Sequence, residues 1–417
     1  MASPARVRLD NGVVVIAKET RKTPAVSLNL AVGAGSVCDP PGAIGAMNLL
    51  ARVIDRGTAT RSAEEIAGAL DNRGVSLSIF VSRHLFSFDC TCLAEDFVPV
   101  LTLVGEMLMG PSVPDTELAT RKGEVVTAIR QDDDNPFVRA IERLTAMLYG
   151  EHHPYGPRIK GSIEVVERLT RDDLLGLHKA RFSPAGLTAV IVGDVEMRRA
   201  IDMAAEVFGG WKRETPEPIQ LPGPPAASSR RRVVIPMWNK AQADIAYGFT
   251  SVARADPAYY ACLLMNNVLG QYAMGGRLGD SIRERQGMAY YVTSSFDPGV
   301  IDAPLVIRAG VSPANVDRAI ASIDEELVRM RRDGVTTKEL NESRQYLIGA
   351  MPRVLETNGG IAGFLQTAEF FGLGLDYDAR LPSLLEAVQH DEVNGVAARL
   401  LDPGRAAIVI AGPYADD

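Results

Sequence analysis

Cysteine is scarce in this sequence, and long hydrophobic runs and an excess of positive charge are missing. Only four cysteines occur among 417 residues, which is too few for a disulfide framework in a chain of this size. No apolar run approaches the roughly 18 residues of a membrane span. The net charge of −8 argues against nucleic-acid binding, which usually needs a basic surface. These absences favour a globular protein of the reducing cytoplasm.

Three further absences narrow the possible functions. The N-terminal residues lack a hydrophobic segment with a cleavage site after it, so we expect no secretion signal. Cys90 and Cys92 alternate along one predicted strand and are interpreted as small buried side chains rather than a metal or redox pair. Asp132–Asp134 lacks the spacing of a calcium-binding loop and is interpreted as a solvated turn.

Proline is concentrated in one segment near the middle of the chain. Five prolines fall between Glu214 and Arg232, at positions 216, 218, 222, 224 and 225. Neither a helix nor a central strand continues through such a segment, so it is interpreted as a stiff, extended linker. A chain of this length normally forms two domains. We therefore predict an N-terminal domain at 1–213, a linker at 214–232 and a C-terminal domain at 233–417.

The two halves resemble each other near their ends. The first half contains FSPAGLTAVIVG and the second LDPGRAAIVIAG. In each, a proline (Pro184 or Pro403) precedes a glycine (Gly193 or Gly412) by nine residues, and the copies are 219 residues apart. Together with the central linker, this match supports duplication of one structural unit.

Hydrophobic periodicity predicts strands and helices in both halves. Paired strands around a turn at Asn11–Gly12 are predicted over Val7–Lys18 and Ala25–Gly33. A helix over 62–72 begins with a capping box of Ser62 and Glu65. Other predicted helices are Asp115–Asp132, Pro136–Tyr149, Pro313–Asp333 and Thr337–Thr357. This order predicts the α+β class, with two homologous domains that each have a mostly antiparallel sheet and helices packed on one face.

Several segments, in their order and spacing, resemble the pitrilysin/insulinase family of zinc peptidases. The chain is most similar to its short bacterial members, which are related to mitochondrial processing peptidase. The segments are LDNGVVVIAKE (9–19), VGAGSVCDPPGAIGAMNLLARVIDRGT (32–58), IRQDDDNPF (129–137), HPYGPRIKGSIEVVERLTRDDL (153–174), FSPAGLTAVIVGDV (182–195) and GGRLGDSIRERQGMAYYVTSSF (275–296). The resemblance covers nearly the whole chain and implies the two-domain fold of that peptidase.

The resemblance also implies where a zinc site would lie. In the family motif His-x-x-Glu-His, two imidazoles bind zinc and the glutamate activates water. The matching positions here are Asn48, Ala51 and Arg52, and a third ligand would fall at or near Ala128. None suits its role, so we expect no catalytic residue, no metal ligand and no cofactor in this chain. Arg52 is expected to pair with a carboxylate such as Glu124.

A second implied site lies in the C-terminal half. In related two-subunit peptidases, the subunit without zinc supplies an Arg and a Tyr that hold substrate, and Arg277 and Tyr290 match those positions. Arg can bind a peptide carbonyl, and a Tyr hydroxyl can donate to an oxyanion. Alternatively, Arg277 pairs with Asp280 or Glu284 on its own helix, and Tyr290 or its neighbour Tyr291 faces the core.

The sequence therefore predicts a non-catalytic, substrate-positioning subunit of a heterodimeric zinc metalloendopeptidase that acts on peptides. The expected partner is a homologous subunit with an intact His-x-x-Glu-His motif, which would carry the zinc. We expect no nucleic-acid or membrane partner and a cytoplasmic location. One alternative is a structural or assembly protein on the same fold. Others are a stand-alone peptide-binding protein, possibly a homodimer, and an enzyme with an unrecognised metal site.

Overall fold

The computed structural model describes residues 3–272, 274–297 and 299–415, which form two compact units. The first unit contains the residues up to 129, 158–220 and 352–377. The second contains 130–157, 221–351 and the residues from 378 on. Each unit therefore includes a segment from the other half of the sequence. The predicted boundaries at 1–213 and 233–417 describe the duplicated halves and stay a prediction.

The chain alternates short strands with longer helices. Up to the linker, the elements are β1 (Ala5–Arg8), β2 (Val14–Glu19), β3 (Ala25–Val32), α1 (Ala46–Val53), α2 (Ala63–Asp71), β4 (Ser76–Val81), β5 (Phe86–Leu93), α3 (Phe97–Met109), α4 (Asp115–Asp133), α5 (Pro136–Tyr149), α6 (Ile163–Arg168), α7 (Arg171–Arg181), β6 (Leu187–Gly193) and α8 (Met197–Phe208). The predicted capping box at the start of α2 is present, with Ser62 and Glu65 bonded reciprocally.

The elements after the linker follow a similar order. They are β7 (Arg231–Pro236), β8 (Ala243–Thr250), α9 (Tyr259–Asn266), α10 (Gly276–Leu278), β9 (Ala289–Phe296), β10 (Pro304–Val311), α11 (Val316–Asp333), α12 (Thr337–Val354), α13 (Asn358–Phe370), α14 (Tyr377–Ala387), α15 (His390–Leu400) and β11 (Ala407–Gly412). Wider π-helical turns follow α9, over Asn267–Gln271, and α10, over Gly279–Arg285.

The two sheets have the same topology. The first has the order β1-β2-β6-β3-β5-β4 and the second β7-β11-β8-β10-β9. In the first sheet β2 runs parallel to β6, in the second β7 runs parallel to β11, and the other neighbouring strands are antiparallel. From β2 onward, order and orientation match strand by strand. The predicted α+β class with two homologous units is thus confirmed.

Both faces of the first sheet are covered at its centre. Successive side chains of a strand point to opposite faces of the sheet. Val15, Ile16 and Ala17 of β2 are all buried, so both faces are covered at this strand. α8 packs against β2, and a small cluster on the α13 side joins Ile16 to Val190 and Val192. The side chains that α13 adds to this cluster are Ile361, Ala362 and Leu365. The helix α13 therefore covers a second face of the sheet, which the sequence pattern did not indicate.

The second sheet is covered in the same way by a helix from the first half. α5 packs against β8 and β11. A Cβ at Gly248 of β8 would lie only 2.8 Å from Cδ2 of Leu144 on α5, so glycine permits this close approach. Every residue of β11 is buried, as expected of a strand covered on both faces. Each half of the sequence thus supplies one helix to the sheet of the other.

The segment of sequence between α8 and β7 forms no regular structure. From Trp211 to Arg230 the chain contains neither helix nor strand, and the last part of the predicted linker already belongs to β7. Within the described residues, no helix has the length and apolar character needed to cross a membrane.

The packing of α13 can be tested by truncating one side chain. Leu365 is 3% exposed in the cluster with Ile16, so Leu365→Ala should lower the free energy of unfolding by about 2–4 kcal/mol through lost burial and an unfilled cavity. The matched control is Leu93→Ala, since Leu93 is 46% exposed. Urea unfolding followed by circular dichroism measures both. Equal effects of the two changes would contradict this packing of α13.

Candidate functional site

The three positions of the expected zinc motif lie together on α1. Asn48, Ala51 and Arg52 are spaced three and four residues apart, so they share one side of the helix. Ala51 is buried, Asn48 is half-buried and Arg52 is exposed. The buried residues Met47, Leu49, Leu50 and Val53 anchor the helix in the core. These three positions thus have the spacing of a metal-binding motif on a helix, but their side chains are not metal ligands.

A buried carboxylate fixes the start of α1. Asp39 accepts hydrogen bonds from the backbone N–H groups of Gly45 and Met47, both at 2.8 Å. Burial raises the pKa of Asp39 to about 6, although these two donors favour its charged form. Gly45 has φ 103°, and a Cβ there would lie 2.6 Å from the Lys160 carbonyl oxygen. Glycine is therefore required where the chain enters the helix.

Arg52 makes no ion pair in the described part of the chain, which corrects the sequence expectation. Its expected partner Glu124 is bound instead by Arg121 on the same helix, with 2.5 Å between Nη1 and Oε1. Arg121 also reaches Glu117 at 3.5 Å. Ala128 lies one turn beyond Glu124, on the side of α4 that carries these residues. Arg121 pairs with Glu124 because residues three or four apart are neighbours on the surface of a helix.

Arg277, on α10, is held by a residue that the sequence analysis did not identify. Its Nε and Nη2 donate to the two carboxylate oxygens of Glu339 at 2.6 and 2.7 Å, and Nη2 also donates to the Gly334 carbonyl at 2.8 Å. Neither Asp280 nor Glu284, the expected local partners, makes this contact. Glu339 is 62 residues away along the chain, so spacing on one helix gave no indication of the pair.

Glu339 also caps the start of α12. It accepts from the Thr336 backbone N–H at 2.7 Å and the Thr336 hydroxyl at 2.8 Å, while the Thr336 hydroxyl accepts from the Glu339 N–H at 3.2 Å. Thr336-x-x-Glu339 is a capping-box pattern, the one sequence signal that marks this glutamate. Burial alone would raise the pKa of Glu339, but the hydrogen bonds from Arg277 and Thr336 outweigh it and lower the pKa to about 2.

Tyr290 lies at an irregularity of the edge strand β9. Gly310 of β10 pairs with Tyr291, while the next residue, Val311, pairs with Ala289. Tyr290 is therefore the extra residue of a β-bulge, a feature that re-aims a side chain away from the regular pleat. Its side chain is 65% exposed, and its hydroxyl has no hydrogen-bond partner among residues 3–272, 274–297 and 299–415.

The neighbouring Tyr291 has a structural role. Its hydroxyl donates to Asp244 at 2.5 Å, and burial together with this carboxylate raises its pKa. A Cβ at Gly310 would clash with the Tyr291 ring, so the glycine opposite makes room for it. Of the two tyrosines, Tyr291 packs inward and Tyr290 is exposed. The sequence had left open which of the two faces the core.

The glycines around Arg277 bring backbone segments close together. Gly275 and Gly276 have φ 110° and 59°, values that favour glycine. A Cβ at Gly270 would clash with the backbone of Ser294 on β9. We call residues 270–272 and 274–279 the glycine-rich segment. It packs the start of α10 tightly against β9, the strand that carries Tyr290.

Four other residues with side chains that can bind metals, His153, Cys90, Cys92 and Asp134, have structural surroundings. The Nδ1 of His153 accepts from the Tyr155 N–H at 3.0 Å, and its Nε2 lies 2.9 Å from the Pro222 carbonyl oxygen. Cys90 and Cys92 are buried, and burial raises their pKa values to about 12 and 11. Thiols with such pKa values stay protonated and are poor nucleophiles. Asp134 pairs with Lys240 at 2.7 Å.

Comparison with models of protein families shows which proteins this chain is related to. A model described as insulinase (peptidase family M16) matches residues 14–159. A model described as the peptidase M16 inactive domain matches residues 168–347. Together these two models of one family cover most of the chain. The chain belongs to the M16 peptidase family. This confirms the family predicted from the sequence segments.

Other M16-like proteins match along nearly the whole chain. An uncharacterized zinc protease of Mycobacterium tuberculosis is 26% identical over 417 residues, which cover 99% of this chain and 94% of that protein. A non-peptidase homolog of Helicobacter pylori is 22% identical over 386 residues, with coverages of 92% and 88%. A crystal structure of a peptidase M16 inactive domain from Pseudomonas fluorescens has a TM-score of 0.91 at 24% identity, covering 100% and 99%. This structural likeness shows the shared fold.

The residues at the expected zinc-motif positions do not fit zinc. Ala51 and Ala128 have no donor atom, Arg52 carries a permanent positive charge, and Asn48 offers one weakly binding amide oxygen. Within the described residues there is no group of three or more His, Cys, Asp or Glu side chains placed to hold a metal ion. These four residues therefore cannot hold zinc or activate water for peptide hydrolysis.

Metal content provides a direct test of the degenerate site. Because the four motif positions supply no imidazole, thiolate or carboxylate, the purified chain should contain negligible zinc by elemental analysis. The variant combining Asn48→His, Ala51→Glu, Arg52→His and Ala128→Glu should recover zinc more readily than peptidase activity, since the groups that orient the ligands are also needed. Stoichiometric zinc in the wild type that is lost on Glu124→Gln would contradict this interpretation.

The Arg277–Glu339 pair predicts a specific pH dependence. The pKa of Glu339 is lower in the folded state, about 2 against 4.5. Its stabilising effect is therefore complete above pH 4.5 and is lost as the pH falls toward 2. Glu339→Gln should lower the free energy of unfolding by about 1–3 kcal/mol at neutral pH, and by less at pH 3.

Urea unfolding of wild type and variant at the two pH values measures this difference. The matched control is Glu325→Gln, because Glu325 is an exposed glutamate of α11. A Glu339→Gln effect that is as large at pH 3 as at pH 7 would show that packing, rather than the charge of Glu339, stabilises this region.

Proposed function

We propose that this chain is the non-catalytic, substrate-positioning subunit of a heterodimeric zinc endopeptidase. The observation that carries the proposal is Tyr290, an exposed tyrosine on a β-bulge with no hydrogen-bond partner in the described residues. Exposure of a large aromatic ring at an edge strand serves no packing purpose. It does leave a hydroxyl ready to donate to a peptide held at the surface, while the motif positions on α1 have lost every group that could perform the hydrolysis.

The role of Tyr290 would be electrostatic. A partner subunit with an intact His-x-x-Glu-His motif would activate water and attack a peptide carbonyl, whose oxygen then gains negative charge. A hydroxyl already aimed at that position stabilises the developing oxyanion without rearrangement at the moment of reaction. In this proposal, the two subunits divide the reaction: the partner supplies the metal, and this chain supplies a hydrogen-bond donor and holds the peptide.

Arg277 supports the proposal through the donors that it leaves unused. Glu339 and Gly334 take the hydrogens on Nε and Nη2, whereas Nη1 has no acceptor within the described residues. The guanidinium is planar, so fixing two of its nitrogens also fixes the direction of the third. Glu339 is therefore a positioning residue, and Nη1 can donate to a peptide carbonyl without breaking the ion pair.

The second candidate function is a structural or stand-alone peptide-binding protein without a role in proteolysis. The complete loss of zinc-binding groups at four positions favours it, and the Helicobacter pylori relative is described as a non-peptidase homolog. The two functions differ in one requirement. A positioning subunit needs a homologous chain with an intact motif, and a structural or stand-alone protein does not.

Co-expression tests the proposal. The full chain is produced with the M16 chain from the same genome that carries an intact His-x-x-Glu-His motif, and cleavage of a quenched fluorescent peptide is measured. We expect the mixture to cleave at least tenfold faster than either chain alone, which is the effect of one oxyanion donor. An unchanged rate in the mixture, or a genome without such a partner, would overturn the proposal and favour the structural alternative.

Two tyrosine variants test the assignment within that mixture. Tyr290→Phe removes only a hydroxyl that has no partner in the fold, so the chain should stay folded while kcat/KM of the mixture falls about ten- to a thousandfold. Tyr291→Phe is the matched control: it removes the bond to Asp244 and should lower stability by about 1 kcal/mol or more with little change in rate.

Size-exclusion chromatography must show that both variants still assemble with the partner. If assembled Tyr290→Phe cleaves at the wild-type rate, Tyr290 is not a substrate contact.

A further inference from the structure

We propose that His178 and Arg213 form an acid-sensitive clamp on the start of the linker, and that protonation of His178 releases it. We call this pair of residues the linker clamp. It lies within the first compact unit, where the irregular segment after α8 begins. The inference is independent of the proposed function, because the clamp uses none of the residues assigned to peptide binding.

His178 is a buried side chain near the end of α7, and both of its ring nitrogens have partners. It is 2% exposed. Its Nε2 lies 2.8 Å from the Leu108 carbonyl oxygen, and its Nδ1 lies 3.3 Å from Nη1 of Arg213. A carbonyl oxygen can only accept a hydrogen bond, and a guanidinium can only donate. Nε2 therefore carries the hydrogen, Nδ1 presents its lone pair, and the ring is neutral in this arrangement.

Arg213 joins the ends of two helices to the start of the linker. Its Nη1 donates to the carbonyls of His178 at 3.0 Å and Phe182 at 3.4 Å, and its Nη2 donates to the carbonyl of Met109, the last residue of α3, at 3.3 Å. The last carbonyls of a helix have no partner within it, and the helix dipole favours a cation there. Two residues before Arg213, Trp211 is 8% exposed, so the first residues of the irregular segment are packed.

Protonation of His178 is incompatible with this arrangement. The added proton goes to Nδ1, which then becomes a donor that faces another donor. The imidazolium also places a second positive charge beside the guanidinium, and Arg213 cannot lose its own charge. Burial and the charge of Arg213 lower the pKa of His178 to about 4, although the bond to Leu108 favours the charged form.

No carboxylate of the described residues lies within ion-pair distance of the His178 ring to offset the second charge. On α3, Glu106 pairs with Arg61 at 3.0 Å. On α7, Asp172 and Asp173 lie in the first turn, at the opposite end from His178. The other titratable or charged side chains of α1, α7, the loop before α1 and the start of the linker are Arg52, Arg171, Lys179, Arg181, the buried thiol of Cys38, Lys212, and the exposed Glu214 and Glu217.

The linker clamp should therefore weaken as the pH falls. In the released state His178 has the ordinary pKa of 6.5, and in the closed state its pKa is about 4. Release takes up a proton, so the closed state is fully favoured above pH 6.5 and loses this advantage as the pH falls toward 4. Between pH 7 and pH 5, the ratio of released to closed molecules should rise about twentyfold.

Amide hydrogen exchange of the full chain measures this ratio. Exchange at the two pH values is corrected for the intrinsic rate and read by mass spectrometry, for peptides that contain Phe182 or Trp211. Their backbone N–H groups bond to the carbonyls of His178 and Phe208. We expect the protection of these peptides to fall about twentyfold from pH 7 to pH 5, and that of β11 in the second unit to change much less. An equal fall in β11 would show that acid destabilises the whole fold and would overturn the linker clamp.

Two histidine variants test which residue responds to acid. His178→Gln keeps a side-chain donor and acceptor but cannot be protonated, so the protection of the same peptides should become nearly independent of pH. The matched control is His84→Gln, because burial lowers the pKa of His84 to about 4 as well and His84 belongs to the same unit outside the clamp. It should keep the wild-type response. A response that persists in His178→Gln, or that His84→Gln removes equally, overturns the proposal.

Arg213→Gln tests the other half of the linker clamp without changing the histidine. It removes the cation from the carbonyls at the ends of α3 and α7, so the peptides with Phe182 and Trp211 should lose protection already at pH 7. Circular dichroism verifies that each variant is folded. If His178→Gln does not fold, the outcome for Arg213→Gln decides: wild-type protection at pH 7 would show that Arg213 does not hold the linker.

Discussion

The structure depends on the two-sided burial of its central strands. β6 and β11 are apolar along nearly their whole length, and such strands are stable only when both faces are covered. Each sequence half leaves one face of its sheet to a helix of the other half: α13 packs on β3 and β6, and α5 packs on β8 and β11. The duplicated halves are for this reason not independent packing units. A duplicated sequence thus gives two similar sheets whose cores require the complete chain.

The sequence predicts local features well and long-range pairings poorly. The capping box at Ser62 and the helix over Pro136–Tyr149 follow from residues close in the chain and are present as predicted. Which helix covers each sheet face could not be predicted, since an apolar run shows that a face is buried without showing what covers it. The pairing of Arg277 with Glu339 and the bulge at Tyr290 depend in the same way on contacts between distant segments.

The packing of α1 does not require zinc ligands at the expected motif positions. Its packing side is buried, and its N-terminus is fixed by Asp39 through two backbone hydrogen bonds. Of the expected motif positions, Ala51 is buried, whereas Asn48 is half-buried and Arg52 is exposed. A ligand that faces away from the core can be replaced with little change in stability, since exposed substitutions rarely exceed about 0.5 kcal/mol. The position of α1 therefore does not depend on a metal bound by Asn48 or Arg52.

In the second half of the chain, Arg277 differs from the α1 positions, because a side chain that could contact a peptide also stabilises the fold. Arg277 fixes the Gly334 turn and the start of α12 through Glu339, so its retention alone is explained by stability. Tyr290 is different: removing its hydroxyl breaks no hydrogen bond in the described structure, and its ring is mostly exposed. A residue that the fold does not require is the better indicator of function. In the proposed function, Arg277 contributes through its unused Nη1.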